Sequence, residues 1–144
     1  MRLLPLAFVF AACGTVTDWS EMRTAPMRLG ECYDGLVFVA THDGFTADMT
    51  ACDRGLGRWQ SRWRERQLGL NRPGRYRLRA EVMVDEGSPA TGWPIRYAVE
   101  QQKVKDLGRS DDPRDEDWSA DGQDREREMI LGAKLVRRLA PKAP

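Results

Sequence analysis

Four groups of residues have the types and spacing to do chemistry. Nine arginines (Arg54, Arg58, Arg62, Arg64, Arg66, Arg72, Arg75, Arg77 and Arg79) fall within 26 residues, with Glu65 the only acid among them and Asp53 just before. Guanidinium groups suit bidentate contact with phosphate or carboxylate, and Trp59 and Trp63 stand close enough in sequence to stack on them. Arg62, Arg64, Arg75, Arg77 and Arg79 are the candidate contacts for an anion or a partner. The competing account is a solvated sheet face whose arginines pair with acids of the 111–117 segment or of the helices.

A second group, Asp117, Ser119, Asp121, Gly122 and Glu128, has the D-x-S-x-D-G-x5-E spacing of a calcium loop. Asp124 and Arg125 occupy positions where such loops carry other residues, and Asp111-Asp112-Pro113 does not read as an entering helix. An acidic helix N-terminus explains the same residues. Third, Cys32 and Cys52 form an even pair once Cys13 is set aside. Bridged, they would close a loop worth about 3 kcal/mol; unbridged, they are two small hydrophobes. Fourth, His42 is the sole histidine, which excludes multi-histidine metal sites. Its place beside Asp43-Gly44 predicts an exposed helix end, not a catalytic base. Gly55-Leu56-Gly57 lacks the third glycine of a dinucleotide loop and reads as a turn. No catalytic residue and no cofactor is expected.

The N-terminal segment carries an address. Arg2 precedes an apolar run from Leu3 to Ala12, which ends in Phe10-Ala11-Ala12-Cys13. About 10 apolar residues suit the h-region of a secretory signal and fall short of the roughly 20 that span a bilayer. Small residues before a cysteine resemble the lipobox of bacterial lipoproteins, with Phe10 where that family usually has Leu. The resemblance implies lipid attachment at Cys13, and Gly14 in the next position implies an outer-membrane protein facing the periplasm. An ordinary signal cut near Ala12, releasing a secreted protein, is the alternative. Residues 1–12 are then the signal, 13–25 a tether, 26–140 one domain and 141–144 a tail. Without Arg2 the chain has 22 basic and 22 acidic side chains, a balance that argues against bulk nucleic acid as partner. The expected partners are the membrane, through the lipid, and an envelope protein or anionic envelope component.

The elements that must position these groups follow from periodicity. Leu29, Cys32, Tyr33, Leu36, Val37, Val39 and Ala40 predict a helix after Pro26 that stops at Asp43-Gly44. Arg58–Arg66 predicts a strand with Trp59 and Trp63 on one face. Asn71-Arg72-Pro73-Gly74 predicts a turn, Arg75–Val84 a strand with arginines on one side, and Trp93–Val104 a third strand. Residues 108–122 read as a charged loop. Gln123–Leu139 predicts a helix with Met129, Ile130, Ala133, Val136 and Leu139 along its apolar side. The expected fold is α+β: a helix, a three-stranded antiparallel meander and a helix, packed as a two-layer sandwich. This order loosely resembles small accessory envelope lipoproteins with a helix–sheet–helix domain. Function is expected to be that of a structural or assembly-interaction module; the second reading is a secreted binder of calcium or of an anionic glycan or lipid.

Overall fold

The computed structural model describes residues 17–109 and 111–142. The signal segment and Cys13 lie outside the described residues. The chain runs β1 (Ser20–Arg23), α1 (Leu29–His42), β2 (Arg58–Gln60), β3 (Arg64–Leu68), β4 (Arg72–Val82), β5 (Pro94–Val104), β6 (Trp118–Gln123) and α2 (Arg125–Leu139). All six strands join one antiparallel sheet, which dominates the fold. The expected three-stranded meander between two helices is therefore corrected. Two strands escaped because they bury little: β1 sits in the segment read as tether, and buries Met22; β6 sits in the segment read as loop, and buries Trp118. Strands this short and polar leave no alternating apolar run.

β4 and β5 form the centre, in register from Gly74↔Lys103 to Val82↔Ile95. Each outer edge is split. β1 covers β5 from Pro94 to Tyr97, and β6 covers it from Glu100 to Val104. β2 covers β4 from Arg79 to Glu81, and β3 covers it from Arg72 to Tyr76. The two gaps meet at one cross-strand pair, Leu78↔Val99. Side chains fill both. Leu78 N–H donates to Ser61 Oγ at 2.9 Å, and Val99 N–H donates to Glu128 Oε1 at 2.8 Å. Backbone bonds complete the repair: Ser61 N–H to Leu78 O at 2.9 Å and Asp124 N–H to Val99 O at 2.8 Å. A buried backbone group needs such a partner, and here the split edges deny it a ladder neighbour.

Tyr76, Leu78, Ala80 and Val82 of β4 and Ile95, Tyr97 and Val99 of β5 share the core with both helices. α1 contributes Cys32, Tyr33, Leu36, Val39 and Ala40. It closes with Gly44 at φ 87°, where Phe45 N–H reaches Ala40 O and Gly44 N–H reaches Thr41 O, both at 3.0 Å. That is the paired-bond helix stop expected of Asp43-Gly44, with Phe45 buried behind it. Leu29 is the first helical residue of α1, after Pro26. α2 also departs from expectation. It turns Glu128, Leu131, Gly132, Leu135 and Leu139 inward, and of the anticipated stripe only Leu139 is buried. Gly132 permits this rotation by letting Tyr97 Oη press against the helix where a Cβ would stand.

One turn reading also shifts. The reversal between β3 and β4 is made by residues 69–71, with Leu70 and Asn71 at φ 61° and 55°, and Arg72-Pro73-Gly74 is already strand. β5 pairs β4 only from Gly74 onward, so one side of Pro73 has no ladder to break.

Candidate functional site

The sheet face opposite the helices holds the arginines. Alternation along β4 puts Arg75, Arg77, Arg79 and Glu81 on this side, and the register with β5 places Gln102, Glu100, Ala98 and Arg96 opposite them in that order. Arg77 Nε and Arg79 Nη1 donate to the two oxygens of Glu100, at 2.9 and 2.7 Å. Arg96 donates from Nε and Nη2 to Glu81 Oε2, at 3.0 and 2.5 Å. Arg75 donates to Gln102 Oε1 at 2.7 Å and to Asp115 at 3.2 Å.

Three indoles interleave with these cations. Trp63 carries Arg77 and Arg75 with guanidinium carbons 4.4 and 4.6 Å from the ring centroid. Trp118 lies 4.5 Å from Arg75, and Trp19 lies 4.8 and 5.2 Å from Arg96 and Arg79. Stacking and ion pairing together hold the guanidinium planes in place, which lowers the entropy lost when they bind an anion. Between Trp63, Arg77, Arg79, Glu100, Gln123 and Thr17 lies a cleft of about 290 Å³. That is headgroup-sized, at the bottom of the range for small-molecule sites. One carboxylate serves two guanidiniums there, so the cleft keeps a positive excess.

The sequence-predicted contacts divide. Arg75, Arg77 and Arg79 come together. Arg64 does not: it lies on the helix side, donating to Gly44 O at 3.0 Å. Arg62 is exposed in the break between β2 and β3, its N–H bonded to Thr46 O. Its charge and that of Arg77 still reach Asp48, whose carboxyl is held below the usual range, chiefly by the Thr50 hydroxyl and N–H. Trp59 and Trp63 part company because the break at Ser61-Arg62-Trp63 changes the phase. Trp59 enters the core, and Trp63 faces the arginines. Trp19, Arg96, Glu100 and Trp118 were not assigned to the site in sequence. The opposite charges at Arg77↔Glu100 and Glu81↔Arg96 were the signal, legible only with the hairpin register in hand.

The calcium spacing does not produce a site. Residues 118–123 are extended in β6, where Asp121 pairs with Lys103 at 2.9 Å and Ser119 Oγ donates to Lys103 O at 3.4 Å. Glu128 points away from both into the core, and Asp117 closes the turn before the strand by accepting from Arg114 N–H. Among the described residues, no group of three or more His, Cys, Asp and Glu side chains is placed to hold a metal ion. The bridge between Cys32 and Cys52 is likewise replaced by two free thiols. Burial pushes the Cys32 thiol up to about 12. Cys52 Sγ instead lies against the backbone of Gln60, 3.4 Å from its N and O. His42 is exposed at the end of α1, with Nδ1 2.9 Å from Phe38 O and its ring stacked on Phe38.

No helix among the described residues is long and apolar enough to cross a membrane. Neither protein-family models nor curated proteins match the chain.

Proposed function

We propose that this chain is a lipid-anchored envelope protein, facing the periplasm, that acts as an interaction module through the arginine–tryptophan face of its sheet. The anchor reading rests on Phe10-Ala11-Ala12-Cys13. The observation that carries the contact reading is the cleft at Trp63, where Arg77 and Arg79 share Glu100, Arg77 lying over the Trp63 indole and Arg79 over that of Trp19. Such a cleft favours a phosphate- or carboxylate-bearing component of the envelope over an uncharged one. Binding fits this site better than catalysis. The exposed, Phe38-stacked His42 lies on the helix layer, and the buried carboxylate Glu128 already has four donors.

The test is titration of a phosphorylated glucosamine disaccharide, followed by tryptophan fluorescence, on the wild type and on Arg77→Gln with Arg79→Gln. Glutamine avoids crowding three carboxylates at Glu100. Expected is saturable quenching, weakened about 100-fold in the double variant under conditions where urea unfolding shows both proteins folded, as loss of two charge-assisted contacts implies. Quenching that is absent in the wild type, or equal in the variant, refutes the assignment. Intact mass and membrane fractionation of the wild type beside Cys13→Ala test the anchor separately.

A further inference from the structure

Helix α2 is apolar on two sides. Leu131, Leu135 and Leu139 enter the core, while Met129, Ile130, Ala133 and Val136 stay outside, with Met129 69 %, Ile130 43 % and Val136 48 % exposed. Core packing does not require the outer stripe, and exposed apolar side chains gathered on one face mark an interaction surface. Charge beside the outer stripe is mixed at its N-terminal end, where Ile130 adjoins Asp124 and Glu126, and turns basic toward its C-terminal end. The acids of α2 end at Glu128, and Lys134, Arg137, Arg138 and then Lys142 follow. A shallow groove of about 430 Å³ brings Lys134, Arg137, Arg138 and Lys142 together with Phe38 and His42 of α1. Phe38 is 42 % exposed, and the Arg138 guanidinium lies 3.8 Å from its ring centroid. Of the carboxylates around Phe38, Asp43 is paired with Lys134 and Asp34 with Arg54, and Glu31 accepts from Arg28 N–H at the start of α1.

Bases in a last helical turn suit the macrodipole. The macrodipole does not call for exposed Ile130, Val136 and Phe38 among them. Apolar side chains interleaved with Lys and Arg on one helix face are the composition of a helix lying in a bilayer interface. A second copy would bring the same positive charge to the contact, so charge complementarity selects an anionic surface.

We infer that the outer face of α2, with Phe38 of α1, docks on the surface of an anionic lipid bilayer. This face lies on the opposite side of the sheet from the Trp63–Arg77–Arg79 cleft. A domain resting on its helices therefore presents that cleft away from the lipid. The inference stands on its own residues and does not depend on what the cleft binds.

The full chain carrying Cys13→Ser, so that no acyl chain holds it, is sedimented with phosphatidylcholine vesicles and with vesicles containing about 30 % phosphatidylglycerol. The apolar N-terminal run meets both vesicle types, so the ratio of the two affinities isolates the charged face. Each Lys or Arg held at an anionic surface strengthens binding about fivefold, so three are worth about 100-fold. The expected result is that Arg137→Gln, Arg138→Gln and Lys142→Gln together lower the anionic-to-neutral ratio about 100-fold, while a control, Lys105→Gln with Arg114→Gln, exposed and lining neither the cleft nor the groove, leaves it unchanged. Should the triple variant not fold, Arg137→Gln with Lys142→Gln alone is expected to lower the ratio about 25-fold. An unchanged ratio in a folded helix-face variant overturns the proposal. So does an equal loss of the ratio in the control variant, or self-association of the wild type that the helix-face substitutions abolish.

Discussion

Replacing Glu128 with alanine is the sharpest probe of how this sheet is held. Its carboxylate is 2 % exposed and accepts four bonds: Val99 N–H at 2.8 Å, Gln123 Nε2 at 2.6 Å, Arg125 Nη1 at 2.7 Å and Ser20 Oγ at 3.3 Å. Those donors come from β5, β6, α2 and β1, so one side chain ties the split edge to the helix. In Glu128→Ala the half-exposed Arg125 turns to water, and Gln123 keeps its bond to Asp18 O. Val99 N–H cannot follow them. An orphaned buried donor costs about 1–3 kcal/mol, and the lost charge-assisted bonds add about 1.5–3 kcal/mol. The expected destabilisation is therefore about 3–5 kcal/mol, in the range for breaking a buried ionic contact. Urea unfolding measures it, with exposed Glu126→Ala as a control expected to stay within about 0.5 kcal/mol. Amide exchange should rise first at Val99 and at the β1 and β6 amides. A Glu128→Ala loss below about 1 kcal/mol, or equal to the control, would refute the gap-filling role.

The same logic at the opposite edge predicts that Ser61→Ala, which leaves Leu78 N–H without its acceptor, costs about 1–3 kcal/mol at the urea midpoint. Recovery by Ser61→Thr, which keeps the hydroxyl, would separate the bond from simple packing. Alkaline pH gives a third expectation. Burial raises Cys32 from an ordinary value of 9.0 to about 12, so the folded state holds a proton that the unfolded state has lost. Its contribution is complete below pH 9 and declines as pH rises toward 12, by on the order of 4 kcal/mol in all. Tyr33 and Tyr97, also raised chiefly by burial, add a decline of the same sign. Unfolding at pH 8, 10 and 11 should show a shallower loss in Cys32→Ala; equal slopes in the two proteins would contradict it.

Local physics was enough for several elements. The α1 stop, with glycine past the end and a hydrophobic residue after it, is a property of a few neighbouring residues, and so is the alternation of β4 that separates its arginines from its core. The excess of guanidinium groups over acids in 54–79 was equally legible. What only the tertiary structure decided was everything that depends on a partner distant in sequence. β1 and β6 are strands because β5 offers them backbone bonds, not because their own side chains demand it. The break at Ser61 sent Trp59 and Trp63 to opposite faces, because Ser61 is held by Leu78 of another strand. α2 carries two apolar stripes, and its propensity is indifferent to which one faces inward. The choice was made by Val99 N–H needing Glu128 and Tyr97 needing the space at Gly132. That rotation buried the anticipated calcium ligand and left the anticipated core stripe, Leu139 excepted, outside. Periodicity specifies that a helix has a face to bury; an unpaired backbone donor elsewhere in the chain specified which.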